Sequence, residues 1–213
     1  STTIHPTTML ARSNNQESQA NISPQSAIER LREGNRRFLG RTPLERNWAD
    51  DIATTAAGQF PFAIVLGCID SRVPVETVFD QGIGDIFTSR VAGNIVNEDI
   101  LGSMEFACKL AGAKAILVLG HTDCGAVNGA IRKTRLGNLS ALVSQIEPVV
   151  DEVAASMDTE DPTFVDTVAE ANVVRTIDTI RQQSPALAEM ENAGEIVIVG
   201  AMYDVSSGQV RIL

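Results

Sequence analysis

Three residues of this chain have the chemistry to hold a metal ion: Cys68, His121 and Cys124. Thiolate and imidazole are preferred zinc ligands, and a catalytic zinc takes three protein ligands and keeps a fourth position open. His121 and Cys124 are three positions apart, so one turn of backbone points both at one ion. Cys68 lies 53 residues before His121, so a shared ion would join two sequence-distant loops. Asp70 stands two residues beyond Cys68, and Arg72 two beyond that. A carboxylate and a guanidinium this close pair bidentately. Two thiolates nearly neutralise Zn²⁺, so its water is polarised less than at an all-histidine site. An acceptor beside the metal would orient that water and favour its hydroxide, and Arg72 would keep Asp70 ionised for that task.

Other readings stay open. Asp70 and Arg72 could form an ion pair that only stabilises the loop. Asp70 could itself take the fourth position and shut the site, as in a non-enzymatic zinc or thiol-sensing protein. A Cys–His nucleophilic hydrolase fits less well, because two cysteines converge on one histidine. Cys108 falls on the apolar face of a helical pattern and reads as a core residue.

The elements that must position these residues are legible from the apolar pattern. Phe62 to Leu66 is a continuous apolar run, the mark of a strand buried on both faces, and it leads into Cys68. Ile86 to Val91 and Ala115 to Leu119 read as two more strands, the latter leading into His121 and Cys124. Glu195 to Val205 and Gln209 to Leu213 are the last two, joined by a hairpin turn at Ser206-Ser207-Gly208. Between them lie helical patterns: from Pro24, capped by Ser23, with Ser26 and Glu29 at capping-box spacing; over Val75–Phe79; over Glu98–Ala111, with Leu101, Met104, Cys108 and Ala111 on one face; from Gly125 to about Arg132; and over most of 138–192. Pro148 is expected to end or kink its helix, and Pro162 to open the next. The stretch from Gly40 to Gly58 reads as a polar connector, and Arg30, Arg32, Arg36 and Arg37 as a solvated basic face.

Alternation of strands and helices predicts an α/β fold: a mostly parallel open sheet flanked by helices, with an antiparallel edge strand at the C-terminus. Ligands bind such sheets outside the carboxyl ends of the strands, where both reactive clusters fall. Gly93 and Gly125 are expected to permit close backbone approach.

The 213 residues predict one domain over 23–213, preceded by a polar arm, 1–22, that is flexible or lies on a neighbouring subunit; the arm's His5 reads as solvated. Lys and Arg number 17 against 27 Asp and Glu, a formal net charge of −10. That balance argues against nucleic acid and against an anionic membrane surface. No apolar run approaches the ~20 residues that span a bilayer. Three cysteines do not make a disulfide framework. With no signal peptide in the chain as given, the expected compartment is the cytoplasm, or the periplasm or another exported location if a leader was removed.

The segments CIDSRVP (Cys68 to Pro74), FDQGIGDIFTSRVAGN (Phe79 to Asn94) and GHTDCGAV (Gly120 to Val127) together resemble the β-class carbonic anhydrases, over roughly residues 24–213. The resemblance implies one Zn²⁺ per chain on Cys68, His121 and Cys124, with Asp70 and Arg72 as the catalytic dyad. It implies reversible hydration of CO₂ to bicarbonate by a zinc-bound hydroxide. It also implies a homo-oligomer, dimer or tetramer, with active sites near the subunit interface and the N-terminal helices packed across it. Gln81 resembles a glutamine with which some members hold substrate, and Phe87, Val91 and Gly125 are candidate pocket residues. The active-site tyrosine of the family's plant-like members has no counterpart, Tyr203 being the only Tyr, and TSRVAGN departs from the commoner RNVAN. Hydrolysis of COS or CS₂ on the same site is the alternative chemistry.

Overall fold

The computed structural model describes residues 10–213, so His5 and the first nine residues of the arm lie outside the described part. Five strands form one sheet among the described residues: β1 (Ala63–Gly67), β2 (Ile86–Arg90), β3 (Ala115–His121), β4 (Val197–Tyr203) and β5 (Val210–Ile212). Their order is β2-β1-β3-β4-β5, parallel except for the β4–β5 hairpin.

Side chains alternate across the strands and feed two cores. Ile64, Leu66, Ile116 and Val118 face the larger one. Five helices contribute to it: α5 (Glu98–Glu105), α6 (Gly125–Ile131), α7 (Gly137–Ala154), α8 (Phe164–Gln183) and α9 (Pro185–Asn192). Ala63, Val65, Leu117 and Leu119 face the other, covered by α2 (Pro24–Gly40) and α4 (Val75–Val78). Two short helices, α1 (Gln16–Ala20) and α3 (Trp48–Thr55), complete the set.

From β1 the chain crosses to β2 on one side, and β3 then pairs on the other side of β1. The order therefore reverses between β1 and β3, and in open α/β sheets ligands bind at the carboxyl ends of the strands at such a point. Cys68 follows the last residue of β1, and His121 is the last residue of β3.

Several local expectations change. The stretch 40–58 contains α3, capped by the Asn47 side chain on Asp50 N–H. Its Trp48 and Ile52 are exposed, so no core-facing periodicity announces it. Pro148 lies inside α7 without ending it. Val143, Ile146, Val149 and Val153 are buried along that helix, and their packing outweighs the lost hydrogen bond. The capping box at α2 is Ser23 with Ser26, not Ser26 with Glu29. The helix over 98–111 is α5 followed by a π-helical turn, Phe106–Leu110. Within the arm, the buried Gln19 amide donates to the carbonyls of Pro61 (2.8 Å) and Ala111 (2.6 Å).

Candidate metal centre

The strand ends bring the three expected ligands together. The ligand atoms of Cys68, His121 and Cys124 lie within 4.8 Å of one another and all three residues are buried; among the described residues it is the one such group of three or more. Cys68 follows β1 directly, and Gly93 N–H points at its sulfur (3.3 Å). Gly93 has φ +74°, and a Cβ there would come within 2.7 Å of Ile146, so the turn that delivers this N–H needs glycine. At Gly125 a Cβ would meet nothing within 4 Å, which corrects the expectation of close approach there.

His121 is fully buried. Its Nδ1 lies 2.8 Å from the Thr122 carbonyl, which accepts only, so Nδ1 carries the proton of the neutral ring. Nε2 is buried with no hydrogen-bond partner. A buried orphan nitrogen beside two thiols is costly unless something positive fills the gap. Cys124 begins α6. The Cys124 thiol, hydrogen-bonding to Cys68, pulls the Cys68 thiol down to about 4 against the opposing effect of burial, with His121 and the Gly93 N–H helping. Cys124 is raised in turn by the same bond and by burial. Burial disfavours charge on His121, and the neighbouring Cys68 sulfur, the Thr122 carbonyl and the Asp70 carboxylate outweigh it and raise the ring's pKa. Two sulfurs and an imidazole nitrogen with a free lone pair make a donor set that suits a borderline-soft divalent cation.

Asp70 lies beside the cluster, its Oδ2 3.7 Å from His121 Nε2. The Arg72 guanidinium grips both its oxygens: Nε donates to Oδ1 (3.0 Å) and Nη2 to Oδ2 (2.7 Å), while Arg72 N–H adds a bond to Oδ1 (2.8 Å). The side-chain bonds from Arg72 hold the carboxyl down at about 2, against partial burial. Arg72 also reaches the other loop, donating to the Asp123 carbonyl (3.0 Å) and carboxylate (3.3 Å).

The pocket candidates separate. Val91 N–H donates to the Gly67 carbonyl (3.1 Å), next to Cys68. Phe87 lines a cavity of ≈ 850 Å³ with Phe106, Thr88 and Ser103, and packs edge-on against Phe106. The Gln81 amide donates to the Phe79 carbonyl (2.8 Å) and lines another cleft with Phe38, Arg46 and Trp48; no hydrogen bond links it to the cysteine–histidine group.

Three participants are absent from the sequence reading. Arg90, the last residue of β2, pairs in register with Gly67 and donates to the carbonyls of Cys68 (2.7 Å) and Asp70 (2.6 Å). Parallel register is the signal: it sets the end of β2 beside the exit of β1. Asp123 and Asp166 give no such local signal. The basic face of α2 is not uniformly solvated either, since Arg37 pairs with the half-buried Asp80 (2.5 Å).

The model of the family described as carbonic anhydrase matches residues 63–210. Carbonic anhydrase 2 of Mycobacterium tuberculosis is 37% identical over 193 residues, covering 89% of this chain and 92% of its own. The carbonic anhydrase of Mycolicibacterium smegmatis is 33% identical over 196 residues, covering 90% of this chain and 94% of its own. Among solved structures, the β-carbonic anhydrase CafA of Aspergillus fumigatus matches with a TM-score of 0.71 at 28% identity, covering 89% of each chain. A β-carbonic anhydrase of Sordaria macrospora, one of two described as tetrameric, matches with a TM-score of 0.69 at 27% identity over 76% of this chain and 85% of that one. With two thiols and an orphan imidazole converging at the switch point of a sheet these proteins share, the chain belongs to the β-carbonic anhydrase family.

Proposed function

We propose that this chain catalyses the reversible hydration of CO₂ to bicarbonate and a proton, with one Zn²⁺ held by Cys68, His121 and Cys124. The observation that carries the reading is the buried, unpartnered His121 Nε2, facing two thiols and 3.7 Å from a carboxylate that an arginine holds in place. Zinc in such a site supplies Lewis acidity that makes a water nucleophilic near neutral pH.

The chain's own residues do the rest. Thr122 O fixes the His121 tautomer, leaving Nε2 free to ligate. Gly93 N–H draws charge from the Cys68 sulfur. Asp70 stays ionised and accepts a hydrogen bond from the attacking water, which aims the oxygen's lone pair at the substrate carbon. Its two oxygens are engaged by Arg72, which supports a fixed acceptor over a fourth ligand. Arg90 holds the Cys68 and Asp70 carbonyls, so ligand and acceptor keep one spacing. Val91, beside the Cys68 turn, offers an apolar wall to a linear, weakly polar molecule, and the open space at Gly125 leaves room for it. A homo-oligomer is part of the proposal: Leu39, Trp48 and Ile52 are exposed near the N-terminal side of the chain, and a solved relative is described as tetrameric.

The test is stopped-flow CO₂ hydration on reduced, zinc-replete protein above pH 8, with metal analysis. Fast turnover at one zinc per chain is expected; no turnover under those conditions overturns the reading. COS and CS₂ assayed beside CO₂ separate the alternative hydrolase, which requires one of them to be the better substrate.

A further inference from the structure

Asp123 sits between His121 and Cys124 with φ +51°, a left-handed backbone uncommon for a non-glycine residue, though Asp tolerates it better than most. Its carbonyl and carboxylate both receive bonds from Arg72. Its N–H donates to Oδ1 of Asp166 (2.9 Å), 43 residues further on in the first turn of α8.

Asp166 is free to do this for a specific reason. It is the third residue of α8, where an acidic side chain ordinarily turns back to the N–H of the capping residue. That N–H, on Thr163, is already taken by Asp161 Oδ1 (2.8 Å). The Thr163 side chain makes no capping bond of its own. The carboxylate of Asp166 is therefore spent outside its helix, on the turn between two ligands. The neighbouring Thr122 is pinned from the other side: its N–H donates to the Tyr203 carbonyl (2.9 Å) and its hydroxyl accepts from Val205 N–H (3.0 Å).

We propose that Asp166 is a positioning residue of the metal centre. Through the Asp123 N–H it holds the left-handed turn that sets the spacing of His121 and Cys124 and presents the Asp123 carbonyl to Arg72. It touches neither substrate nor metal, and it acts through Asp123. The proposal rests on the zinc reading above.

Two substitutions separate this role from a plain helix-start charge. Asp166→Asn removes the charge and keeps an acceptor oxygen in place. Asp166→Glu keeps the charge and moves the acceptor by a methylene. The readout is the rate at which holoenzyme yields zinc to excess chelator at fixed pH, with the melting temperature beside it. A positioning role makes Asp166→Glu release zinc about tenfold faster, the scale of outer-shell contacts, and leaves Asp166→Asn within about twofold of the parent. If Asp166 only complements the helix dipole, the order reverses: Asp166→Asn loses melting temperature and Asp166→Glu releases zinc at the parental rate. That result, or equal rates in both variants, overturns the proposal while leaving the zinc reading intact. A parent chain that binds no zinc overturns both.

Discussion

Two aspartate–arginine networks among the described residues end differently. One centres on Asp80, whose backbone has φ +45°. Arg37 and Leu44 N–H hold its carboxylate, Arg46 holds its carbonyl (2.6 Å), and Arg46 lies 3.9 Å from Asp85, which accepts Gly82 N–H. Arg46 is 7% exposed, and the network closes on itself. The other centres on Asp70 and Arg72, where Arg72 is 44% exposed and ties two loops together. It borders a buried nitrogen with no partner and two thiols of opposed proton affinity. The residue types are nearly the same. What marks the second as a working site is the group left unsatisfied, because a structural network has no reason to keep one.

That contrast can be broken at several points. The largest effect is expected from His121→Ala, which removes the orphan nitrogen: metal analysis should find zinc lost and CO₂ hydration abolished, whereas full zinc occupancy would mean the cluster is not the centre. Next, Asp70→Asn should lower turnover by about 10²–10⁴-fold, the usual worth of a proton-handling group, with zinc still bound. Unchanged turnover would make the Asp70–Arg72 pair as purely structural as its counterpart. At the closed network the sign is different. Asp80→Ala should destabilise the fold by about 3 kcal/mol, as breaking a buried pair does, read by denaturant unfolding, with turnover per folded molecule retained.

The smallest effect is a pH dependence of opposite sign in the two networks. Asp70 is held at about 2, below the ~3.9 of an unfolded aspartate. Its contribution to stability is complete above pH ~4 and is lost as pH falls toward 2. Asp85 is raised by burial, with Asp51 adding to the rise. Its folded form is most favoured below the unfolded value, and stability is lost as pH rises through the folded one. Metal-free Asp70→Asn should therefore differ most from the parent above pH 4, and Asp85→Asn should remove a loss of stability that sets in as pH rises above the ~3.9 of an unfolded aspartate. Parallel curves for both variants would erase the distinction.

How much of this was legible in the chain depends on distance. Strands β1 and β3 were readable because residues buried on both faces make unbroken apolar runs, and the cysteines and histidine stand where those runs stop. The capping of α2 by Ser23 was readable for the same local reason. Helix α3 was not, since Trp48 and Ile52 face outward and give no stripe to detect. Pro148 does not end α7, because local propensity is weaker than the packing of the four buried residues around it. Gln81 stands apart from the cysteine–histidine group in this chain.

By itself the amino-acid order determined which groups could ligate or hold a proton, and that they leave the sheet at two strand ends. These follow from side-chain chemistry and from periodicity within a few residues. Only the tertiary structure decided that the β1–β3 reversal brings those ends together, that Arg72 spans from Asp70 to Asp123, that Arg90 clamps one ligand loop and Asp166 the other, and that His121 Nε2 is left without a partner. The hydrogen bonds among these facts join atoms 20 to 51 residues apart along the chain, and no local preference encodes a distance between them until the core has closed.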